Sequence, residues 1–181
     1  GRYPVALRAL RGHLDDIRFT AEALEIAGVR LTDVRGEVRR VRFRVLGGTD
    51  DITIHDADVS ARLDERDLEQ LLADVGLPGA VRIDNDTVQV QLDAVPTAVD
   101  LDISADDGGA VVAIDGALEP LLRLRFNVPG VTVRRVHTAP GAIHVDVEAD
   151  GNPRQVACAA ENVVKSRLES LALAAKLLPG S

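Results

Sequence analysis

The residues able to do acid–base or metal chemistry in this 181-residue chain are four histidines and several paired aspartates. The histidines show no HExxH or other metal-site spacing, and His144 with Asp146 forms only an i, i+2 pair on one strand face. Aspartate doublets could supply the two carboxylates needed for glycoside cleavage, but their turn-like settings indicate solvated loop residues. The histidines are His13, His55, His137 and His144, and the doublets are Asp15 with Asp16, Asp50 with Asp51 and Asp106 with Asp107.

Signatures of other catalytic centres are missing from the sequence. It contains no GxSxG motif and no phosphate-binding glycine loop. The single cysteine, Cys158, cannot form an internal disulfide or a cysteine-based zinc site, and we expect it to be a small buried hydrophobic residue. The sequence therefore predicts a protein that is not an enzyme and that uses no metal or other cofactor.

A row of arginines offers the clearest set of hydrogen-bond donors. In the stretch VRRVRFRV, Arg40, Arg42 and Arg44 share one face of a predicted strand. Guanidinium groups on one face could bind an anionic headgroup or a membrane surface. The alternative is a solvated outer face whose arginines pair with carboxylates of neighbouring strands, such as Asp56 and Asp58.

Composition narrows the class of ligand. The net charge of −8 repels nucleic-acid phosphates, and aromatic residues make up only 2% of the chain, so it has few platforms on which bases or sugars could stack. Hydrophobic residues make up 46% of the chain and are almost all aliphatic. The composition argues against a nucleic-acid or polysaccharide partner and favours an aliphatic one.

Strict alternation of apolar and polar residues dominates the middle of the sequence and predicts about nine strands. The clearest example is VRIDNDTVQVQLDAV, in which Val88, Val90 and Leu92 face one way and Gln89 and Gln91 the other. Short Gly- and Pro-containing links between the runs favour antiparallel pairing over parallel crossovers.

Two segments have helical spacing instead. Residues 64–75 carry acidic residues in the first turn and an apolar stripe, and Gly76 with Pro78 ends the segment. Residues 156–178 form a longer predicted helix with a wide apolar stripe. We predict an α+β fold, a single domain over residues 1–181, in which a curved antiparallel sheet of about nine strands wraps around the long C-terminal helix.

Four phrases follow one another along the sequence. They are an aromatic-Pro pair followed by apolar residues and a glycine before the first long strand, a "gv.l..v" phrase, a short helix after a strand, and a "gv.v..v....g.i.v" ending. Their residues are Tyr3, Pro4, Leu7, Leu10 and Gly12, then Gly28, Val29, Leu31 and Val34, then RLDERDLEQLLADVGLP, and finally GVTVRRVHTAPGAIHVDVEADG. Read in this order, over roughly residues 3–151, the phrases resemble the LmeA-like phospholipid-binding family of actinobacteria.

The resemblance implies a fold like the tubular lipid-binding domains and a place outside the cytoplasm, in the periplasm or cell envelope. Tyr3 stands where the family usually has Phe. The long helix that the family carries before the aromatic-Pro pair is absent here and a long helix is predicted at the end instead, either through permutation or as an extension of this branch. Since the chain does not begin with Met, we expect an N-terminal signal or anchor outside it.

The resemblance also implies binding, and possibly transfer, of a phospholipid or lipid-linked glycan precursor in the service of cell-envelope lipoglycan assembly. We expect an aliphatic cleft between the sheet and the helices and peripheral contact with a membrane surface. The alternatives are that the leucines at this cleft simply fill the core, and that the protein is a structural or adaptor module that binds a protein partner through its sheet. The predicted cleft residues are Leu68, Leu71, Leu72, Val75, Leu118, Leu121 and Leu122.

Overall fold

The computed structural model describes residues 13–26, 28–42, 52–74, 76–93, 97–114 and 123–176. Within these ranges the chain forms ten β-strands and two α-helices. The strands are β1 (His13–Ile26), β2 (Val29–Arg42), β3 (Thr53–Asp64), β4 (Gly79–Asp84), β5 (Thr87–Leu92), β6 (Val99–Asp106), β7 (Gly109–Ile114), β8 (Arg123–Phe126), β9 (Val131–Ala139) and β10 (Ala142–Gly151). The helices are α1 (Glu65–Asp74) and α2 (Pro153–Lys176).

The strands form two antiparallel sheets of five strands each. The first sheet has the order β1-β2-β3-β10-β9, and the second has the order β4-β5-β6-β7-β8. The predicted α+β class, the antiparallel pairing and the long C-terminal helix are confirmed. The prediction of one wrapped sheet of about nine strands is wrong.

The chain changes from one sheet to the other at α1. The helix begins directly after β3, and the position beside β3 is filled by β10, which comes from far along the chain. Side-chain alternation shows which faces a strand has but does not show which strand is its partner. The sequence pattern therefore could not predict that the strands divide into two sheets.

The hairpin of β9 and β10 connects the two sheets. The Val133 N–H of β9 donates a hydrogen bond to the Gly108 carbonyl at the β6–β7 turn, with an N–O distance of 2.8 Å. At the turn between β9 and β10, the Gly141 N–H donates to the Ile83 carbonyl of β4, also at 2.8 Å. The hairpin thus fixes the second sheet against the first by backbone hydrogen bonds.

The filled hydrophobic core lies between α1, the second sheet and the start of β10. Its members have little or no exposed surface, and half-buried leucines, isoleucines and valines pack around them. The buried members are Leu72, Val81, Ile83, Val88, Val90 and Ile143.

Helix α1 ends in a Schellman motif. Gly76 has a φ of +79°, a conformation that costs glycine little. The Leu77 N–H donates to the Leu72 carbonyl at 2.9 Å, and the Gly76 N–H donates to the Ala73 carbonyl at 3.0 Å. The helix extends over Glu65–Asp74, within one residue of the predicted bounds at each end.

Two glutamates of α1 cover the edge of the second sheet. The Ile83 N–H donates to Glu65 Oε1 at 2.7 Å and the Val81 N–H donates to Glu69 Oε1 at 2.9 Å. Because the glutamates are four residues apart, they lie on one helix face and meet alternate N–H groups of β4. These contacts occupy edge donors that another strand could otherwise pair with.

We predict that Glu69→Ala lowers the free energy of unfolding by about 1–3 kcal/mol, because the Val81 N–H then loses its acceptor in a half-buried setting. Glu69→Gln keeps an amide oxygen at the same place and should cost much less. Arg66→Ala, on the exposed side of the same helix, is the control. Equal urea midpoints for all three variants would contradict the proposed edge contact.

Candidate functional site

A cavity of about 390 Å³ lies between the first sheet and the N-terminal part of α2. Four strands of that sheet contribute most of its wall. The described lining residues are Phe19, Leu24 and Ile26 of β1; Leu31, Val34 and Val38 of β2; Ile54, Ala57, Val59 and Ala61 of β3; Val128 in the link before β9 and Val131 at the start of β9; Val145, Val147, Ala149, Asp150 and Gly151 of β10; and Pro153, Val156, Ala157 and Ala160 of α2.

The lining is almost entirely hydrocarbon. Asp150 is the only ionisable residue among the described lining residues, and the aliphatic wall includes the buried side chains of Val34, Val38 and Ala57. Such a surface gains free energy by contacting apolar groups and offers few donors or acceptors to a polar one. The cavity is therefore chemically suited to a hydrocarbon ligand.

The apolar wall depends on aspartates in a left-handed backbone conformation. Leu31 and Val34 are three residues apart, and regular alternation would place them on opposite faces of β2, yet both line the cavity. Between them Asp33 has a φ of +49°. Asp56, with a φ of +54°, lies in the same way between Ile54 and Ala57. Each aspartate shifts the alternation by one residue and keeps apolar side chains on the inner face.

Helix α2 covers the cavity with one face of its first two turns. Asn152 caps the helix, because its Oδ1 accepts the Arg154 N–H at 2.9 Å, and Pro153 occupies the first helical position. The helix therefore begins three residues before the predicted start at 156. Its lining residues are spaced at i, i+3, i+4 and i+7 from Pro153, which is one helix face. In the described part of the chain, neither helix is long and apolar enough to cross a membrane.

The exposed lining residues of β1 and α2 are apolar, and we call them the rim of the cavity. Phe19 and Leu24 of β1 are 38% and 42% exposed, and Pro153 and Ala157 of α2 are also exposed. The Phe19 ring lies against Gly36 of the neighbouring strand, where a Cβ atom would be 2.2 Å from two ring carbons. Glycine at position 36 thus leaves room for the Phe19 ring at the rim.

One lining residue, Asp150, belongs to a group of three carboxylates. One carboxylate oxygen from each of Asp56, Glu148 and Asp150 lies within 4.8 Å of the other two. The Asp56 N–H donates to Asp150 Oδ1 at 2.9 Å, Arg134 forms an ion pair with Glu148, and His55 Nδ1 lies 3.9 Å from Asp150 Oδ1. These contacts join β3, β9 and β10 at the surface.

Three of the seven residues predicted for the cleft are described by the structure, and they lie outside the described lining of this cavity. Leu72 is buried in the filled core, Leu68 packs against that core, and Leu71 is half-buried on the same helix. None of the three is among the described lining residues. Val75, Leu118, Leu121 and Leu122 fall outside the residues that the structure describes. Lipid contact at these positions stays a prediction.

The sequence analysis did not assign the cavity wall to a site. Its signal was present, because Val59 with Ala61 and Val145 with Val147 are regular alternating pairs on neighbouring strands. The alternation showed that these residues share an apolar face. It did not show that the face lies across a cavity from a helix.

The predicted arginine row is exposed where the structure describes it. Arg40 and Arg42 are exposed on β2, and Arg44 lies outside the described residues. The neighbouring Arg39 donates to Asp58 of β3 at 3.0 Å, which is the cross-strand pairing considered as the alternative. Anion binding by Arg40, Arg42 and Arg44 stays a prediction.

None of the described residues considered for catalysis is among the described lining residues of the cavity, although His55 lies 3.9 Å from the lining residue Asp150. The His137 and His144 rings stack on neighbouring strands, with centroids 4.9 Å apart and an interplanar angle of 11°. Asp106 forms an ion pair with Arg125, and Asp50 with Asp51 falls outside the described residues. Cys158 is exposed on α2, so the prediction that it is buried is wrong.

Comparison with known proteins identifies a family. A family model described as LmeA-like phospholipid-binding matches residues 1–148 of the chain. No curated protein and no solved structure matches it. The strand residues of the cavity wall up to Val147 lie within the matched range, and α2 follows it.

We predict that Gly36→Ala destabilises the protein by about 1–3 kcal/mol, because the new methyl group overlaps the Phe19 ring. In a Phe19→Ala background the same substitution should be nearly neutral. Urea unfolding of the two single variants and the double variant measures this coupling. If Gly36→Ala lowers the free energy of unfolding equally in both backgrounds, the Phe19 ring does not lie against Gly36.

We also predict that Asp33→Val costs about 1–2 kcal/mol, because a β-branched residue is strained in the left-handed conformation. Asp33→Asn should be nearly neutral, since asparagine tolerates that conformation. The Asp33 carboxylate lies 3.9 Å from the Arg62 guanidinium and is largely exposed, so its loss contributes little. Equal unfolding midpoints for the valine and asparagine variants would be inconsistent with a shifted alternation.

Proposed function

The chain belongs to the LmeA-like phospholipid-binding family, and from this premise we propose that it binds a phospholipid or a lipid-linked glycan precursor without altering it chemically. The hydrocarbon part of the ligand occupies the cavity between the first sheet and α2. The observation that carries this proposal is the near absence of polar groups among the described lining residues.

The free energy of burying a hydrocarbon chain in such a cavity suits a lipid carrier. Burying a methylene group out of water contributes about 0.8 kcal/mol, so a hydrocarbon chain is held firmly against loss to water. The same chain gains almost nothing on moving from a bilayer into an equally apolar cavity. A protein with such a cavity can therefore exchange lipid with a membrane, and transfer is part of the proposal.

The polar headgroup stays outside the cavity in this proposal. A phosphate inside would be desolvated among side chains that cannot donate hydrogen bonds to it. The carboxylates of Asp56, Glu148 and Asp150 repel an anion from the part of the lining where Asp150 lies. Exposed arginines of β2, including Arg40 and Arg42, could meet the phosphate or an anionic membrane surface.

We place this activity outside the cytoplasm, in the assembly of cell-envelope lipoglycans. This setting rests on what the resemblance of the sequence to the family implies. The immediate test is the identity of the lipid that the protein acquires when it is produced in an actinobacterial host and recovered from the envelope fraction.

An adaptor function has one observation in its favour. β1 lies at the edge of the first sheet, is 14 residues long and carries the exposed Phe19 and Leu24. Edge strands of this kind can pair with a strand of another protein. An adaptor would carry no lipid, so a single experiment separates the two functions.

The experiment is organic extraction of the purified protein followed by mass spectrometry. Carrier function predicts about one lipid per chain. A blank extract together with no binding to phosphatidylglycerol vesicles would contradict it and favour the adaptor.

A paired substitution on α2 locates the bound lipid. Ala160→Trp adds an indole ring to the cavity lining, and we expect it to lower lipid content at least tenfold because the ring takes up space the ligand needs. The control is Glu161→Trp, which adds the same ring one residue along at an exposed position outside the lining. Equal lipid content in the two variants, with both folded by circular dichroism, would place the ligand elsewhere.

A further inference from the structure

The size of the cavity limits how much hydrocarbon it holds. A methylene group takes up about as much space as a water molecule in the liquid, roughly 30 Å³. The 390 Å³ cavity therefore has room for about 13 methylene groups. A phospholipid with two chains of palmitoyl length carries roughly twice that number. We infer that the cavity takes one hydrocarbon chain of its ligand, while the second chain and the headgroup remain outside.

This inference rests on the proposed function and adds the number of chains bound. A lipid held by one chain exposes its other chain to water unless the protein covers it. The exposed rim supplies a surface for that purpose. Phe19 and Leu24 are the large hydrophobic residues that stand exposed in the described part of the chain, and both belong to the rim.

The position of the rim also suits contact with the second hydrocarbon chain. Phe19 and Leu24 lie on β1 at the edge of the first sheet, and α2, which contacts β1, contributes the exposed Pro153 and Ala157 to the same lining. A chain that enters between β1 and α2 leaves its lipid backbone at this opening. The second chain then lies along the exposed edge of β1, against the exposed parts of Phe19 and Leu24. Asp150 of the lining belongs to a group of three carboxylates and is unsuited to contact with an anionic headgroup.

A chain-length series tests the capacity of the cavity. Lysophosphatidylglycerols with acyl chains of 8 to 18 carbons are titrated into delipidated protein by calorimetry below their critical micelle concentrations. We expect affinity to rise about fourfold per methylene until the chain reaches roughly 13 carbons, and then to level off. If affinity keeps rising by the same factor per methylene up to 18 carbons, the inference is overturned, because the protein would then be burying more chain than one such cavity holds.

A doubly labelled lipid tests the position of the second chain. A phosphatidylglycerol with a pyrene group at the end of both acyl chains gives excimer emission while the two chains lie together. If one chain is inside and one outside, binding abolishes the excimer and iodide quenches only part of the monomer emission. Retained excimer emission that iodide cannot quench would mean that both chains share the cavity, and the inference would be wrong.

The controls separate this inference from the proposed function. Glu161→Trp should behave as the unmodified protein with both probes, and Ala160→Trp should bind neither. If the unmodified protein binds neither the lysolipid series nor the pyrene lipid, the proposed function itself fails. Only the single-chain inference fails if the protein binds both probes but its affinity keeps rising up to 18 carbons, or if the excimer emission persists and iodide does not quench it.

Discussion

The first sheet must keep one face apolar along strands whose side-chain alternation is interrupted, and the cavity depends on this constraint. In β2 and β3, a strictly alternating strand would turn Leu31 or Ile54 towards solvent. Asp33 and Asp56 prevent this by adopting a left-handed conformation, which aspartate tolerates better than most residues. The polar side chain at each irregularity stays outside while the aliphatic residues on both sides of it face inward.

Apolar surface is used in two different ways in this chain. Around Leu72, Ile83 and Val88, α1 and the second sheet bring side chains together until the interior is filled. Where the inner face of the first sheet meets α2, small residues such as Ala157 and Ala160 leave space between the sheet and the helix. The filled core can supply stability without the cavity. The cavity is then free to hold a ligand whose size and shape vary.

The covering helix comes from the part of the chain that follows the family match. The match ends at residue 148, and α2 begins at Pro153, after a short stretch in which Asn152 provides the helix cap. Glycine at 151, with a φ of +115°, lets the chain leave β10 and turn directly into the helix. The position of α2 over the first sheet is thus set at its start, within a few residues of the cavity wall.

Much of the fold could be read from local patterns. Alternation identified the strands, and helical spacing with Gly76 identified α1, because burial on one face imposes a period on any regular element. The order of several short phrases identified the family, which the match over residues 1–148 confirms. The cap at Asn152 was missed, and the start of α2 with it, because the helix was assigned from its apolar stripe and the Asn-Pro pair was not considered as a helix start.

The sequence by itself determined the class of the fold, its antiparallel strands, the two helices that the structure describes and the family, since each of these follows from the types and spacing of residues close together in the chain. Only the tertiary structure decided that β10 pairs with β3, that the strands divide into two sheets, and which aliphatic residues line a cavity and which fill the core. A leucine such as Leu72 in the core and one such as Leu31 at the cavity carry the same apolar side chain. What distinguishes them is whether another part of the chain fills the space opposite, and that is settled by contacts between residues far apart in sequence.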